Sequence, residues 1–155
     1  MFSSVLPSRI LAAYTVVPSS CKRKRLSSLA RSYRFSPEED LPEIPGDPER
    51  LSQVFLNILD NACKYGKNGK KIDVNITHDD ATVSVCIRDY GPGIPPAELP
   101  QVKKKFFKGS SKERGSGIGL AVCDEIVTRH NGTLDIANAA GGGVRVTVTL
   151  PRKAS

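Results

Sequence analysis

The chain has no tryptophan and one methionine among its 155 residues, and its aromatic share is 6%. It also lacks any run of roughly 18 apolar residues, the length that a membrane-spanning helix needs. The longest apolar stretch covers residues 10–17 and is interrupted by Thr15. The sequence therefore predicts a chain without membrane contact, whose hydrophobic share of 39% can fill one modest core.

Metal-ligating side chains are also few. The chain has two histidines, His78 and His130, and none of its four cysteines stands in CxxC spacing. Three cysteines, Cys63, Cys86 and Cys123, lie inside apolar patterns, where a free cysteine behaves as a small hydrophobic residue. A zinc site is therefore not expected, and reduced thiols fit a cytoplasmic location.

Acidic residues are absent from residues 1–37, which carry seven basic residues and nine serines. The other 16 Lys and Arg balance the 16 Asp and Glu, so the net charge of +7 belongs to this segment. A nucleic-acid surface would need basic residues on a folded face or helix, so no nucleic-acid partner is expected. We predict a disordered basic tail at 1–37, although organelle transit peptides have the same composition. The folded domain is predicted at 38–151 and a short tail at 152–155.

Apolar residues in the first half of the domain predict a helix and then a hairpin. They recur at three- and four-residue spacing over residues 48–65. Asp47 suits the N-cap of this helix, and Pro48 suits its first helical position. Apolar and polar residues then alternate over 72–76 and 83–87, with an Asp-Asp turn between them. The pattern indicates an amphipathic helix followed by an antiparallel pair of strands.

The second half repeats this order after a long loop at 91–117. A second helix is predicted at 117–130, ended by Asn131-Gly132, and two further strands at 133–137 and 144–150. A loop as long as 91–117 in a compact domain is usually functional. The order helix, hairpin, loop, helix, hairpin predicts an α+β fold, a two-layer α/β sandwich in which helices cover one face of a mixed sheet.

Three polar motifs lie on these elements. On the first helix Asn57, Asn61 and Lys64 are spaced to share one face. An ordinary solvated helix surface can have the same polar residues. At 89–93 an aspartate ends a strand and glycines follow, which would let the backbone approach a flat ring closely; an ordinary Gly-Pro turn has the same form. At 115–120 alternate glycines lead into a helix, whose N–H groups and dipole favour a phosphate. Their spacing is neither that of the Rossmann fingerprint nor that of a P-loop.

Together these motifs resemble the ATP-binding domain of sensor histidine kinases, which belongs to the GHKL superfamily and has the Bergerat fold. Residues 57–65 are similar to its N box, 89–93 to its G1 box, 106–109 to its F box and 115–120 to its G2 box. The order and separation of the boxes match as well. The resemblance covers residues 38–151.

The resemblance implies that the domain binds Mg-ATP for phosphoryl transfer. It assigns Asn61 and Asn57 to Mg²⁺ and the phosphate region, and Lys64 to the phosphate charge; Mg²⁺ prefers oxygen ligands and keeps several waters. It makes Asp89 the acceptor of the adenine amino group and residues 95–116 a long ATP lid. The nucleotide-binding residues that it implies are Tyr65, Asp89, Gly91, Gly93, Ile94, Phe107, Lys108, Gly115, Gly117, Ile118, Gly119 and Leu120. One position departs from the family's pattern, because Lys103 stands where the first of two F-box aromatic residues is usual.

The phosphoacceptor is missing from this pattern, because neither His78 nor His130 stands in the setting of an acceptor histidine. The resemblance therefore implies a separate histidine-containing dimerisation domain and a response regulator as partners. We expect the chain alone to be a monomer that does not autophosphorylate. Two alternatives remain open. One is a stand-alone serine kinase of the anti-sigma-factor type, which usually has glutamate where Asn57 stands, since an amide cannot take a proton. The other is a nucleotide-binding remnant without transfer activity.

Overall fold

The computed structural model describes residues 3–5, 32–37, 41–65, 71–104 and 119–152, with the backbone alone at 3–5, 32–37 and 63–65. In chain order the elements are β1 (Ser3–Val5), β2 (Ser32–Pro37), β3 (Ile44–Gly46), α1 (Pro48–Tyr65), β4 (Lys71–His78), β5 (Thr82–Asp89), a 3-10 turn (Leu99–Gln101), α2 (Gly119–Arg129), β6 (Thr133–Asn138) and β7 (Val144–Pro151). The predicted order of helix, hairpin, loop, helix and hairpin is confirmed.

Helix α1 begins where the sequence predicts, because Asp47 caps it. The Asp47 Oδ1 atom accepts hydrogen bonds from the backbone N–H groups of Glu49 and Arg50, at 3.0 and 3.3 Å. These bonds satisfy two of the N–H groups that a helix start leaves without partners. The apolar side of the helix is buried, and its residues are Leu51, Val54, Phe55, Ile58, Leu59 and Ala62.

Five strands form a mixed sheet in the order β2-β4-β5-β7-β6. β2 runs parallel to β4, whereas the other neighbouring strands are antiparallel. Both predicted hairpins, β4–β5 and β6–β7, are therefore confirmed. In the β4–β5 turn Asp79 Oδ1 accepts from the N–H groups of Ala81 and Thr82, at 2.8 and 2.7 Å, which fixes the turn and hence the register of the hairpin.

Two strands lie inside the residues predicted as a tail, and the sequence did not predict them. β2 adds its backbone to the edge of the main sheet, and β1 pairs with β3 in a separate two-stranded sheet. β2 pairs with a strand almost forty residues later, so its strand conformation depends on tertiary context rather than on a local pattern. The main sheet therefore includes backbone before residue 38, where the domain was predicted to begin.

The core lies between one face of the sheet and the two helices. Side chains along β4 and β5 alternate between buried and partly exposed positions, as expected for a sheet with one covered face. Helix α1 packs against β5 and α2, and α2 also packs against β6. The predicted two-layer α/β sandwich is thus confirmed. In the described part of the chain, no helix has the length and apolar character needed to cross a membrane.

Helix α2 ends at the predicted Asn-Gly pair. Asn131 has a φ of 59°, the left-handed conformation that commonly closes a helix. The Gly132 N–H donates to Val127 O at 2.9 Å and the Asn131 N–H to Thr128 O at 3.0 Å. These two bonds form a Schellman motif and turn the chain directly into β6.

Candidate functional site

Asp89 ends β5 and is the one charged residue that is buried among the described side chains, with 5% exposure. Its Oδ1 atom accepts hydrogen bonds from the backbone N–H groups of Gly91, at 3.0 Å, and Val144, at 3.1 Å. A buried carboxylate is costly unless such donors satisfy it. The two bonds stabilise Asp89 at this position and hold the carboxylate in one orientation.

Gly143, the residue before β7, lies directly against Asp89. A Cβ atom at Gly143 would be 2.0 Å from the Asp89 carbonyl oxygen and 2.9 Å from Tyr90 Cα. Its φ of 84° is also in the left-handed region that favours glycine. Only glycine therefore allows the β6–β7 hairpin to approach Asp89 this closely.

Gly93 and Ile94, two of the predicted nucleotide-binding residues, are held by the last residue of β6. The Ile94 N–H donates to Asn138 Oδ1 at 2.8 Å, and Asn138 Nδ2 donates to the Ile94 carbonyl at 2.7 Å. Gly93 has a φ of 82°, and a Cβ there would be 2.8 Å from Asn138 Oδ1. The glycine-containing turn after Asp89 thus fits closely against the β6–β7 hairpin.

Tyr90 separates the predicted residues Asp89 and Gly91 and lies in a charged cluster. Its ring is 4.4 Å from the Arg88 guanidinium carbon and 4.8 Å from Lys71 Nζ, measured to the ring centre. Its hydroxyl donates to the Asp73 carboxylate. Arg88 also donates to the Ala140 carbonyl at 2.7 Å. These contacts connect the end of β5 to both β4 and the β6–β7 turn.

Asn57 and Asn61 are half-buried on α1, one helical turn apart. Cys123 of α2 is buried against this helix, and its Sγ atom donates to the Val54 carbonyl of α1 at 3.6 Å. Burial raises the pKa of the Cys123 thiol to about 12, although the neighbouring Asn57 side chain opposes this shift. Cys123 is therefore a protonated packing residue at the contact between the two helices.

Gly119 and Leu120 are half-buried and are the first two residues of α2. Backbone N–H groups in the first turn of a helix have no partners within that helix and attract anions. The other predicted residues lie outside the described part of the chain or have no described side chain: Lys64, Tyr65, Phe107, Lys108, Gly115, Gly117 and Ile118. Their predicted roles stay predictions.

Lys103, the departure from the F-box pattern, contacts α2 and β6. Its Nζ atom lies 3.3 Å from Asp124 Oδ1 and donates to the Leu134 carbonyl at 3.1 Å. The side chain is 43% exposed, so the ion pair itself is weak. The lysine nevertheless attaches the end of the described loop to the sandwich.

A groove of about 400 Å³ runs along the first half of α1. It includes one predicted site residue, Asn57, and its described lining is Pro48, Glu49, Ser52, Gln53, Leu56 and Asn57. Asp89 and the glycines that follow it do not line this groove. The residues that hold Asp89 and Ile94 in place define the candidate site better than this cavity does.

Comparison with known proteins identifies the family. A family model described as histidine kinase-, DNA gyrase B-, and HSP90-like ATPase matches residues 46–154. The chain belongs to this ATPase family. The resemblance read from the four boxes is thereby confirmed.

Curated relatives of this ATPase domain are sensor kinases. The sensor histidine kinase ZraS of Escherichia coli O157:H7 is 40% identical over 119 residues, which cover 76% of this chain and 25% of ZraS. The signal transduction histidine-protein kinase BaeS of Escherichia coli K12 is 35% identical over 133 residues, which cover 83% of this chain and 28% of BaeS. The chain thus spans less than a third of these two relatives. It is homologous to the ATP-binding domains of sensor histidine kinases.

Solved structures agree with the fold. The mycobacterial sensor histidine kinase MprB superposes with a TM-score of 0.80 and 28% identity, covering all of both chains. The catalytic domain of histidine kinase ThkA gives a TM-score of 0.82 over 99% of each chain, at 22% identity. The Bergerat-type sandwich is therefore confirmed for this ATPase domain.

The sequence did not point to several residues that shape the site. Asn138, Val144 and Gly143 contact residues 89–94 from the β6–β7 hairpin. Arg88, the residue before them, contacts the Tyr90 ring. None of the four lies in a box pattern. Three consecutive glycines at 141–143 join the last two strands. Their number is the one signal that the sequence offers here, because a two-residue hairpin turn does not need a third glycine.

Proposed function

We propose that this domain binds Mg-ATP and supplies the γ-phosphoryl group to a histidine on a dimerisation domain, from which a response regulator takes it. The observation that carries the proposal is the buried Asp89 carboxylate, oriented by the N–H groups of Gly91 and Val144. A fixed buried carboxylate at a strand end is suited to accept from the exocyclic amine of adenine.

Around Asp89 the described backbone supports an adenine pocket. Gly91 and Gly93 keep side chains out of the turn, so that a flat ring can approach the backbone. Ile94 supplies an apolar contact for the ring, and its backbone is fixed by Asn138. Tyr65 and Phe107 complete the apolar lining in the proposal.

The phosphates are proposed to lie between α1 and the start of α2. Gly115, Gly117, Ile118, Gly119 and Leu120 would offer backbone N–H groups and the positive end of the helix dipole to the phosphate oxygens. Lys64 and Lys108 would add positive charge. Catalysis in this arrangement is a matter of positioning and electrostatic stabilisation of an in-line transfer.

The same region fits a magnesium ion. Asn57 and Asn61 are half-buried amides one helical turn apart, and amide oxygens suit Mg²⁺, which retains several waters. Within the described ranges no three His, Cys, Asp or Glu side chains converge as a metal site. In the proposal the ion is held mainly by these amides, phosphate and water. Asn61 and Asn57 would hold Mg²⁺, which supplies charge neutralisation on the transferred group when bound.

The acceptor histidine is proposed to lie on a separate domain. Both ring nitrogens of His130 have structural partners: Nε2 accepts from the Asp47 N–H at 3.0 Å, and Nδ1 lies 2.8 Å from the Ile126 carbonyl. Because Nε2 accepts, Nδ1 carries the proton and donates. His78 is the last residue of β4 and pairs with Val83. The engaged ring of His130 supports an acceptor on a partner domain, and the proposal takes the chain itself as a cytoplasmic monomer.

The direct test is Mg²⁺-dependent ATP affinity by titration calorimetry. We expect Asp89→Asn and Asn61→Ala to weaken binding at least tenfold, since the first loses the carboxylate that accepts from the adenine amine and the second loses an oxygen ligand of the metal. Asp135→Asn removes an exposed carboxylate on β6 and serves as the matched control. Loss of affinity in the control, or wild-type affinity in Asp89→Asn, would contradict the proposed pocket.

Transfer needs a second assay. The chain is mixed with ATP and dimerisation domains from the sensor kinase relatives, and acid-labile phosphohistidine is measured. Acid-stable phosphoserine on a partner would instead favour the serine-kinase alternative. Nucleotide binding without transfer to any tested acceptor would favour a remnant that only binds.

A further inference from the structure

Residues 94–104 form a segment, here named the strap, that follows the glycine-containing turn after Asp89. Its first residue is bound through both backbone polar groups to the Asn138 side chain, at 2.8 and 2.7 Å. A carboxamide offers one acceptor and two donors, so Asn138 gives Ile94 the pair of bonds that a neighbouring strand would provide. Inside the strap, the Glu98 N–H donates to the Pro95 carbonyl at 2.8 Å.

The other end of the strap is bound through Lys103. Its ammonium contacts the Asp124 carboxylate at 3.3 Å and the Leu134 carbonyl at 3.1 Å. Leu134 and Asn138 both belong to β6, the last strand in the order of the main sheet. The two anchors are four positions apart along β6, a distance of about 13 Å. The strap is thus fastened at both ends to an edge strand, whose exposed polar groups otherwise need protection.

The same hairpin also orients Asp89. Val144, the first residue of β7, donates to Asp89 Oδ1, and Asn138, its partner in the β6–β7 ladder, holds Ile94. One pair of facing residues therefore fixes the carboxylate and the backbone beside it. Any displacement of the strap would change the position of Gly93 and Ile94 relative to Asp89.

We propose that Asn138 and Lys103 are positioning residues of the nucleotide site, which hold the strap on β6 and so fix the pocket wall at Gly93 and Ile94. The assignment deepens the proposed function and rests on it. Asn138 is the stronger anchor, because it makes two bonds to one backbone unit and lies next to the pocket. Lys103 has a smaller effect that depends on ionic strength, because its contact is an exposed ion pair.

The test combines nucleotide affinity with amide exchange. Asn138→Ala should weaken ADP and ATP binding about tenfold, because the two hydrogen bonds that hold Ile94 in the pocket wall are lost. Asn138→Asp keeps the acceptor for the Ile94 N–H and should recover part of the affinity. Asn75→Ala, which truncates an exposed asparagine on the open face of the sheet, is the matched control and should bind as wild type does.

Lys103 is tested by its own pair of variants. Lys103→Met should weaken nucleotide binding about threefold at low salt and by less at 0.5 M salt, as expected for a screened pair. Lys103→Arg should restore binding, whereas Lys104→Met, at the exposed neighbouring lysine, should change nothing. Recovery of binding in Lys103→Arg would separate a positioning role of the lysine from a general loss of stability.

Site-specific exchange of the Ile94 amide proton, followed by NMR without nucleotide, decides whether the strap is fastened. The proton should be protected in wild type and exchange at least tenfold faster in Asn138→Ala, with an unchanged rate in Asn75→Ala. Equal protection in Asn138→Ala, or undiminished nucleotide affinity in that variant, would overturn the inference. If the wild-type chain binds no nucleotide, the proposed function and the positioning role both fail, while the exchange rates still report whether Asn138 anchors the strap.

Discussion

Replacing Gly143 by alanine should remove much of the stability of this domain, and nucleotide binding with it. The new Cβ would be 2.0 Å from the Asp89 carbonyl oxygen and 2.7 Å from its carbonyl carbon. Because these are backbone atoms, no side-chain rotation relieves the contact, and the β5 end and the β6–β7 hairpin must separate. Overpacking costs about 1–3 kcal/mol, and the left-handed φ of 84° adds about 1–2 kcal/mol for a residue with a Cβ. The free energy of unfolding should therefore fall by about 3–4 kcal/mol.

Gly141→Ala provides the matched control. Gly141 has nearly the same φ, 85°, but its Cβ would meet only Arg88 Nη2, at 3.6 Å. Both variants share the backbone cost and the change in unfolded-chain entropy, so the difference between them measures the contact with Asp89.

Urea denaturation followed by circular dichroism should show that Gly141→Ala lowers the free energy of unfolding by about 1–2 kcal/mol. Gly143→Ala should lower it by about 2 kcal/mol more. In folded Gly143→Ala, calorimetry should show weakened ATP binding because the Asp89 backbone has moved. Equal destabilisation by the two variants would refute the reasoning, because it would mean that the hairpin does not press against Asp89.

Three further outcomes follow from the structure. His130→Ala should lower the free energy of unfolding by about 2 kcal/mol, measured by urea denaturation, because it removes the acceptor of the Asp47 N–H and the ring donor to the Ile126 carbonyl. Cys123 should resist iodoacetamide at pH 8 in the native chain, while the partly exposed Cys86 reacts. Burial raises the pKa of Cys123 from 9.0 to about 12. The free energy of unfolding should therefore fall as the pH rises between these values, where only the unfolded thiol ionises. Asp79→Ala should lower the melting temperature more than Asp79→Asn, which keeps an acceptor oxygen. Hydrogen bonds from the backbone of Ala81 and Thr82 lower the pKa of Asp79 below 3.8. The stability that the native carboxylate contributes is therefore present above pH 3.8 and is lost as the pH falls through the lowered pKa.

The elements that could be predicted from the sequence are those whose signal is local. Helix α1 combines an N-cap at Asp47 with an apolar repeat, and the β4–β5 hairpin combines alternation with a turn residue that binds its own backbone. β2 could not be predicted in this way, because its pairing partner is distant along the chain. The same distinction applies to the site. Asp89 and the glycines after it form a contiguous motif, whereas Asn138 and Val144 reach that motif from 44 and 55 residues away.

The distant contacts also connect folding to binding. Asp89 becomes a fixed acceptor only when Val144 donates to it, and the turn after it is fixed only when Asn138 binds Ile94. Both partners belong to the β6–β7 hairpin, near the end of the described chain. The pocket can therefore form only after this hairpin has joined the sheet beside β5. A nucleotide that binds the completed pocket and not the unfolded chain stabilises the domain by mass action, and the stabilisation falls mainly on this hairpin. Protection of β6 and β7 amide protons should consequently rise with nucleotide concentration more than protection of the β4–β5 hairpin, whose turn is fixed locally by Asp79.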